Sequence, residues 1–400
     1  MIGQLKMPAA NSGPNPSSSL GLGIDRRVVV VALALLALLC WQAAATVGGK
    51  QAALAVVGAL MGLTLYHAGF GFTAAWRSFV HAGDGRGLRA QMLMMVIAVS
   101  MFFPAIAAGE LFGSQVRGFV FPVGVSVVVG AFIFGVGMQL GGGCGSGTLF
   151  TVGGGSTRML LTLAAFIAGS VIAIGHLPFW LGLPNVGGIS LIGTLGLWPA
   201  LLLHLLLFGA IVLSTLRVER RRVMVQQTAS PVDWLKGPWP IVAGAVALAL
   251  LNVATLGLAG RPWGITSAFA LWGGKGLDVA GVDVTLWPNW AGMVGPIERS
   301  ILFDVTSVMN FGIILGAMTA AGLAGRFRPT LKLSRGDVMS AVIGGLLLGY
   351  GARLAFGCNI GAFFSGIASG SLHGWVWLVA AFAGSAIGVR LRPLFGQSPS

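Results

Sequence analysis

Charge is scarce in this sequence. Only 8% of its 400 residues are Asp, Glu, Lys or Arg, against roughly 25% in a soluble domain. That shortfall excludes a soluble fold of this length, whose surface needs far more polar side chains. Acidic residues are the scarcer sign, ten against 24 Lys and Arg, which leaves a formal net charge of +14. The cations sit in short stretches between apolar runs rather than on a patch between soluble elements, so nucleic acid is excluded as a partner. Cysteine is rare too. Cys40, Cys144 and Cys358 are the three, each in or beside an apolar segment, and an odd count without a small secreted framework excludes a disulfide scaffold. His67, His176, His204 and His373 show no H-x-x-x-H spacing, so no metal site is expected. No G-x-x-x-x-G-K-[ST] loop occurs, so ATP-driven work and an ATP cofactor are not expected. No general base sits by motif beside either Cys144 or Cys358, so the chain does not read as an enzyme.

Apolar residues and glycine are what it has. AVILMFWYC make up 56%, and Gly occurs 64 times, about twice the roughly 7% background and without a Gly-x-y period. A helix needs about 20 apolar residues to span a bilayer. Ten such stretches are read, near 28–47, 51–70, 90–108, 119–140, 157–178, 196–216, 239–258, 299–322, 337–355 and 373–390. The shorter apolar pieces 71–80, 144–152, 263–272 and 358–369 read as half-helices that enter the membrane and turn back. The expected fold is therefore all-α, a polytopic transmembrane protein with broken helices, embedded in a lipid bilayer. Its expected divisions are a polar tail (1–27), a first membrane half (28–216), a basic linker (217–237), a second membrane half (238–392) and a C-terminal tail (393–400). Residues 28–45 follow Asp25-Arg26-Arg27 and read as an uncleaved first helix rather than a signal peptide.

The charges orient the spans. With the N-terminus inside, Arg77, Arg86, Arg89, the run Arg217–Lys236, Arg326, Arg328, Lys332, Arg335, Arg390 and Arg392 all fall on the cytoplasmic side. The acidic loop with Asp278, Asp283, Trp287 and Trp290 falls outside, against only Lys50, Arg117 and Lys275. The distribution predicts both termini in the cytoplasm of an inner membrane protein.

The halves repeat each other. GVGMQLGGGCGSG at 135–147 matches GYGARLAFGCNIG at 349–361 as G-x-G-x-x-L-x-x-G-C-x-x-G. AAFIAGS at 164–170 echoes AAFAGS at 380–385, and Gly71-Phe72-Thr73 echoes Gly264-Ile265-Thr266. Five spans separate matching positions, an odd number, so the repeats are expected to be inverted across the membrane. Cys144 and Cys358 then occupy equivalent turns. Irregular backbone survives in a bilayer only where it is buried in protein or lines a cavity. A half-helix beginning at Cys144 would aim its first amides and positive dipole end at that cavity, which makes an anion site. The candidate pathway residues are Cys144 with Gly143, Gly145 and Ser146, and Cys358 with Gly357, Asn359 and Gly361. Thr148 is a further hydroxyl. A neutral thiol is a weak, polarizable donor suited to a soft sulfur acceptor, whereas a thiolate would repel an anion. Arg261, at the outer mouth, and Arg353, one turn before Cys358, are the further candidates, since charge within a span is costly. Arg77, Asp304 and Asn310 are other polar intrusions. Cys40 lacks any glycine-rich context and reads as helix packing.

At GGGCGSGTL (141–149), GRPWGIT (260–266) and GARLAFGCNIGAFFSGIASGSLHGW (351–375) the chain resembles the YeeE/YedE family of sulfur-compound membrane transporters, over roughly residues 50–390. The resemblance implies inverted repeats with half-helices and a central path lined by Cys144 and Cys358. It implies thiosulfate uptake and delivery to a small cytoplasmic sulfur-carrier protein of the TusA type. Members that resemble thiosulfate importers often carry a further cysteine in the first break, where this chain has Gly69-Phe70-Gly71-Phe72-Thr73. That departure keeps sulfite, sulfide or a membrane sulfur relay using the cysteines covalently as alternatives.

Overall fold

The computed structural model describes residues 23–221, 231–284, 287–329 and 331–398. Most of the expected tail 1–27, part of the linker 217–237 and the last two residues of the tail 393–400 lie outside the described residues. Helix α1 spans Arg26–Thr46, α2 Gly49–His67, α3 Phe72–Ala82 and α4 Arg86–Ala108. Then come α5 (Val125–Gly141), α6 (Gly145–Gly153), α7 (Thr157–Leu181), the short α8 (Leu191–Leu195) and α9 (Leu197–Arg220). Helices α10 (Ile241–Ala259), α11 (Ser267–Val279), the short α12 (Val294–Glu298) and α13 (Val305–Leu323) follow. Helix α14 (Arg335–Leu354) is succeeded by a π-helical turn (Asn359–Phe364), α15 (Ser365–Ala368) and α16 (Leu372–Leu391). Among the described residues, sheet is confined to two short antiparallel pairs, Glu110–Leu111 with Ser114–Gln115 and Pro122–Gly124 with Asn185–Gly188.

Among the described residues, ten helical stretches are long and apolar enough to cross a membrane, and they coincide with the ten expected spans. The chain is thus an all-α multi-pass membrane protein. Three of the stretches hold a break: α2 to α3, α5 to α6, and α14 to α15. The fourth span begins at Val125 rather than near 119, because Pro122–Gly124 pairs as a strand. The eighth begins at Val305 rather than 299. Asp304 is its N-cap, accepting the Ser307 amide at 2.7 Å, and a carboxylate there satisfies an amide that has no helical acceptor.

The glycine surplus has a structural use. In α2 and α13, Gly58, Gly62, Gly312 and Gly316 each lie directly against backbone of the other helix, so that a Cβ on Gly316 would run into the Ala59 carbonyl oxygen. The same backbone-to-backbone approach joins α14 to α7 through Gly345 and Gly349, and α16 to α5 through Gly135 and Gly384. Helices in lipid gain little from hydrophobic burial against one another, so close van der Waals contact through small residues holds them.

Cations gather at one end of the bundle. There Arg89 of α4 pairs with Glu219 of α9 at 2.7 Å, Arg158 of α7 lies 3.5 Å from Asp337 of α14, and the Asp25 amide bonds to the Gly322 carbonyl of α13 at 2.8 Å. The other end carries the strand pairs and the contact of the Arg117 amide with the Gly260 carbonyl at 2.8 Å.

Replacing Gly316 by Leu is expected to cost at least about 3 kcal/mol through overpacking, lowering the unfolding temperature and the monodisperse yield in detergent. Gly209→Leu on α9, where a Cβ meets nothing within 4 Å, is expected to leave both unchanged.

Candidate functional site

The cysteines stand at helix starts. After α5, Gly142 turns the chain with φ +89°, and Cys144 in extended conformation caps α6. A methyl group on Gly142 would meet Arg158 Nη1 at 2.6 Å, so only glycine satisfies both the turn and the space. After α14, Phe356 and Gly357 turn with φ +56° and +153°, and Cys358, also extended, caps the π-helical turn. Both cysteines are buried, 1% and 0% exposed. Their side chains are free thiols.

The two breaks meet in the interior. A methyl group on Gly145 would stand 2.9 Å from Cys358 Sγ and 3.3 Å from Ile265 Cγ2. One on Gly147 would stand 3.6 Å from Cys144 Sγ, and one on Gly361 would stand 3.9 Å from Gly264 Cα. Cys144 Sγ lies 3.5 Å from Ser146 Oγ, while Cys358 Sγ accepts the Ile360 amide at 3.4 Å. Thr148 is committed: its amide and hydroxyl both reach the Cys144 carbonyl, at 2.9 and 2.8 Å. By position, the amides of Gly145, Ser146 and Gly147 have no helical acceptor. From this meeting point α6 runs toward the cation-rich end, where a methyl group on Gly155, just past it, would stand 3.2 Å from the Phe327 ring. The π turn and α15 run the other way, to Ser369 against Phe119 and Gly370 against Ile192. Two helix starts thus face each other with their positive ends toward one point.

Unpaired polar groups surround that point. Asn359 is 0% exposed, and neither its Oδ1 nor its Nδ2 has a hydrogen-bond partner. Asn310 of α13 donates to the Ile265 carbonyl at 3.0 Å and leaves Oδ1 unpaired; Trp263 Nε1 is also buried and unpaired. Among the described residues, no carboxylate hydrogen-bonds to either cysteine break.

Other polar residues hold the breaks open. Gln139 Nε2 donates to the Thr73 carbonyl at 3.2 Å and to Ser385 Oγ at 2.7 Å. Arg353 Nη2 donates to the Thr266 carbonyl at 2.9 Å. Gln139 and Arg353 share a position in the two Gly-Cys motifs, and Thr73 and Thr266 share one in the two Gly-x-Thr motifs, so equivalent side chains support equivalent backbone. Asn252 in α10 accepts the Trp263 amide at 2.9 Å and donates to Ser365 Oγ at 3.3 Å, and Ser365 donates to the Trp263 carbonyl at 2.7 Å.

The predicted residues therefore fall in two groups. Cys144, Gly145, Ser146, Cys358, Asn359 and Gly361 come together, with Gly143 packed on Met159 and the α6 backbone and Gly357 on Ala362 at the turns. Arg353 acts on the second break from outside. Arg261 lies at the start of α13, where its Nη2 donates to Thr306 Oγ1 at 3.0 Å. Asp304 is a helix cap. The sequence reading missed Asn252 and the unpaired Trp263. A single Asn inside an otherwise apolar helical run was the available signal for Asn252.

Residues 67–387 match the profile of a family described as sulphur transport. A probable transporter, YedE, of Escherichia coli is 36% identical over 164 residues, 40% of this chain and 40% of that protein. This chain thus spans about two fifths of the YedE length it matches. The thiosulfate transporter TsuA of Spirochaeta thermophila is 26% identical over 341 residues, 80% of this chain and 92% of its own length. The thiosulfate transporter TsuA of Escherichia coli is 24% identical over 340 residues, 82% and 91% respectively.

Two asparagines separate support from site. Asn252→Leu breaks paired hydrogen bonds and is expected to cost about 1–3 kcal/mol, whereas Asn359→Leu removes a buried amide with no protein partner and is expected to be neutral or stabilising by up to about 1 kcal/mol. Unfolding temperatures in detergent distinguish them, and an equal loss in both would make Asn359 structural.

Proposed function

From the premise that this chain belongs to the sulphur transport family, a family of multi-pass membrane proteins by its ten spans here, we propose that it carries thiosulfate across the inner membrane between Cys144 and Cys358. The carrying observation is the unpaired, fully buried Asn359 beside two opposed helix starts. A dianion at that point meets two positive helix ends and unpaired donors instead of water, and no bonded carboxylate opposes it. The relatives named thiosulfate transporters support thiosulfate as the anion.

The terminal sulfur of thiosulfate is soft and takes the weak S–H donors, while its oxygens take amide and Asn359 N–H groups. Neutral thiols bind it without anchoring it, which passage requires. The first break, Gly69-Phe70-Gly71-Phe72-Thr73, holds no cysteine, so on this reading the path has two thiols.

The same reading makes the halves inverted repeats. The Gln139–Thr73 and Arg353–Thr266 pairs support it, as does packing: α2 lies on α13 as α10 lies on α4, and α7 on α14 as α16 on α5. The positive-inside rule makes the cation-rich end cytoplasmic, with both termini there. That basic face suits a small sulfur-carrier protein of the TusA type as acceptor.

Expression in a bacterial strain lacking its thiosulfate importers, with thiosulfate as sole sulfur source, tests the proposal. Wild type is expected to restore growth. Cys144→Ala and Cys358→Ala are each expected to abolish it, and Gly145→Ala, which presses on Cys358, to slow uptake of radiolabelled thiosulfate at least tenfold. Growth with all three variants would remove the thiols from the path. No growth from correctly inserted wild type would shift the substrate to sulfite or sulfide, and a persulfide on either cysteine by mass spectrometry would mark a sulfur relay.

A further inference from the structure

A second polar cavity lies away from the cysteines, at the cation-rich end. It measures about 200 Å³ and is lined by the end of α2 (Tyr66, His67), by Gly69 after it, by Lys236 and Gly237 before α10, and by Arg326 after α13. A liquid water occupies about 30 Å³, so the cavity holds a small anion with part of its hydration shell. His67 is 4% exposed, lines the cavity, and its Nε2 is buried with no hydrogen-bond partner. Its imidazole packs on Trp239 at 5.3 Å, and its carbonyl accepts the Trp239 amide at 2.8 Å. A methyl group on Gly237 would stand 2.7 Å from His67 Nδ1. The ring is therefore clamped from the linker side, with one nitrogen left over.

The charged residues that line the cavity are cations. Lys236 and Arg326 line the cavity. The one nearby carboxylate, Asp233, is fully exposed and bonds the amides of Leu235 and Lys236 at 2.8 and 2.9 Å; those amides hold its pKa below the usual range, so it stays ionised but does not line the cavity. Phe70 and Phe72, with ring centroids 5.8 Å apart edge to face, lead from Gly69 to Phe363 of the second cysteine break.

We propose that this cavity binds a tetrahedral oxyanion at the cation-rich face, held by His67 Nε2–H, Lys236 and Arg326, at a site separate from the two cysteines. Charge-assisted donors from three chain segments then converge on one ligand. The occupant ties the end of α2 to the linker before α10 and to the segment after α13. The shared chemistry admits two sources, a free sulfate-like anion or a lipid phosphate. The inference does not depend on thiosulfate being the substrate.

Purified full-length protein in phosphatidylcholine nanodiscs, in gluconate buffer, is titrated with radiolabelled sulfate. Lys236→Gln and Arg326→Gln are each expected to weaken binding roughly tenfold, and His67→Phe, which keeps a ring against Trp239, to weaken it comparably. The Cys144→Ala/Cys358→Ala protein is expected to bind like wild type. Unchanged affinity in the Lys236→Gln/Arg326→Gln protein would overturn the proposal, as would loss of binding in the cysteine variant. Phosphatidylglycerol added to the nanodiscs distinguishes the sources: displacement of sulfate marks a lipid phosphate, and undiminished binding marks a free anion.

Discussion

A helix broken inside a bilayer exposes amides and carbonyls that neither the next turn nor bulk water can satisfy. The structure is organised around that constraint. Thr73 and Thr266 carbonyls are taken by Gln139 and Arg353. The Trp263 amide and carbonyl are taken by Asn252 and Ser365. These side chains are costly to bury in hydrocarbon, and each is justified by a backbone group it completes. Arg353 is the clearest case. A guanidinium in a span reads as a substrate ligand by default, yet here it bonds the Thr266 carbonyl of a backbone break.

Once carbonyls and outer amides are satisfied in this way, what is left over becomes informative. Buried polar groups without partners occur elsewhere too, but three share one place. Asn359, Trp263 Nε1 and Asn310 Oδ1 lie in or bond to the segments that meet around the two cysteines. Leaving a buried donor or acceptor unpaired costs about 1–3 kcal/mol. On the proposed reading, the unpaired Asn359 and Trp263 N–H groups where two helix starts converge are the donors for an anion that carries its own acceptors.

The ten spans and the two Gly-Cys breaks were legible because they rest on local signals: length of apolar run, and a glycine cluster that no uninterrupted helix would carry. Span ends were less so. Pro122–Gly124 belongs to a strand because Asn185–Gly188 lies beside it, a contact far away in sequence. The clustering of Cys144, Ser146, Cys358 and Asn359 was read from the repeat, since equivalent turns in opposed halves approach one another. Arg261 and Arg353 were recognised as unusual but not assigned their bonds, because a charge in an apolar stretch says that a partner exists without saying whether it is ligand or backbone. Asn252 was passed over for the same reason on a smaller scale.

The thiols show how the constraint shapes selectivity. A hydroxyl at these two N-cap positions would accept an amide and close the first turn, as Ser334 does on α14 at 3.1 Å. Cys358 takes the Ile360 amide at 3.4 Å, and Cys144 takes none as a cap. Sulfur is a weak acceptor, so it holds these amides less firmly than an anionic oxygen does. On the proposed reading a cysteine cap does two things at once: it presents a soft donor to a sulfur atom, and it leaves the hard donors around it for oxygens. An anion with one soft and several hard acceptors matches that pair of demands better than sulfate or chloride, each of which meets only one.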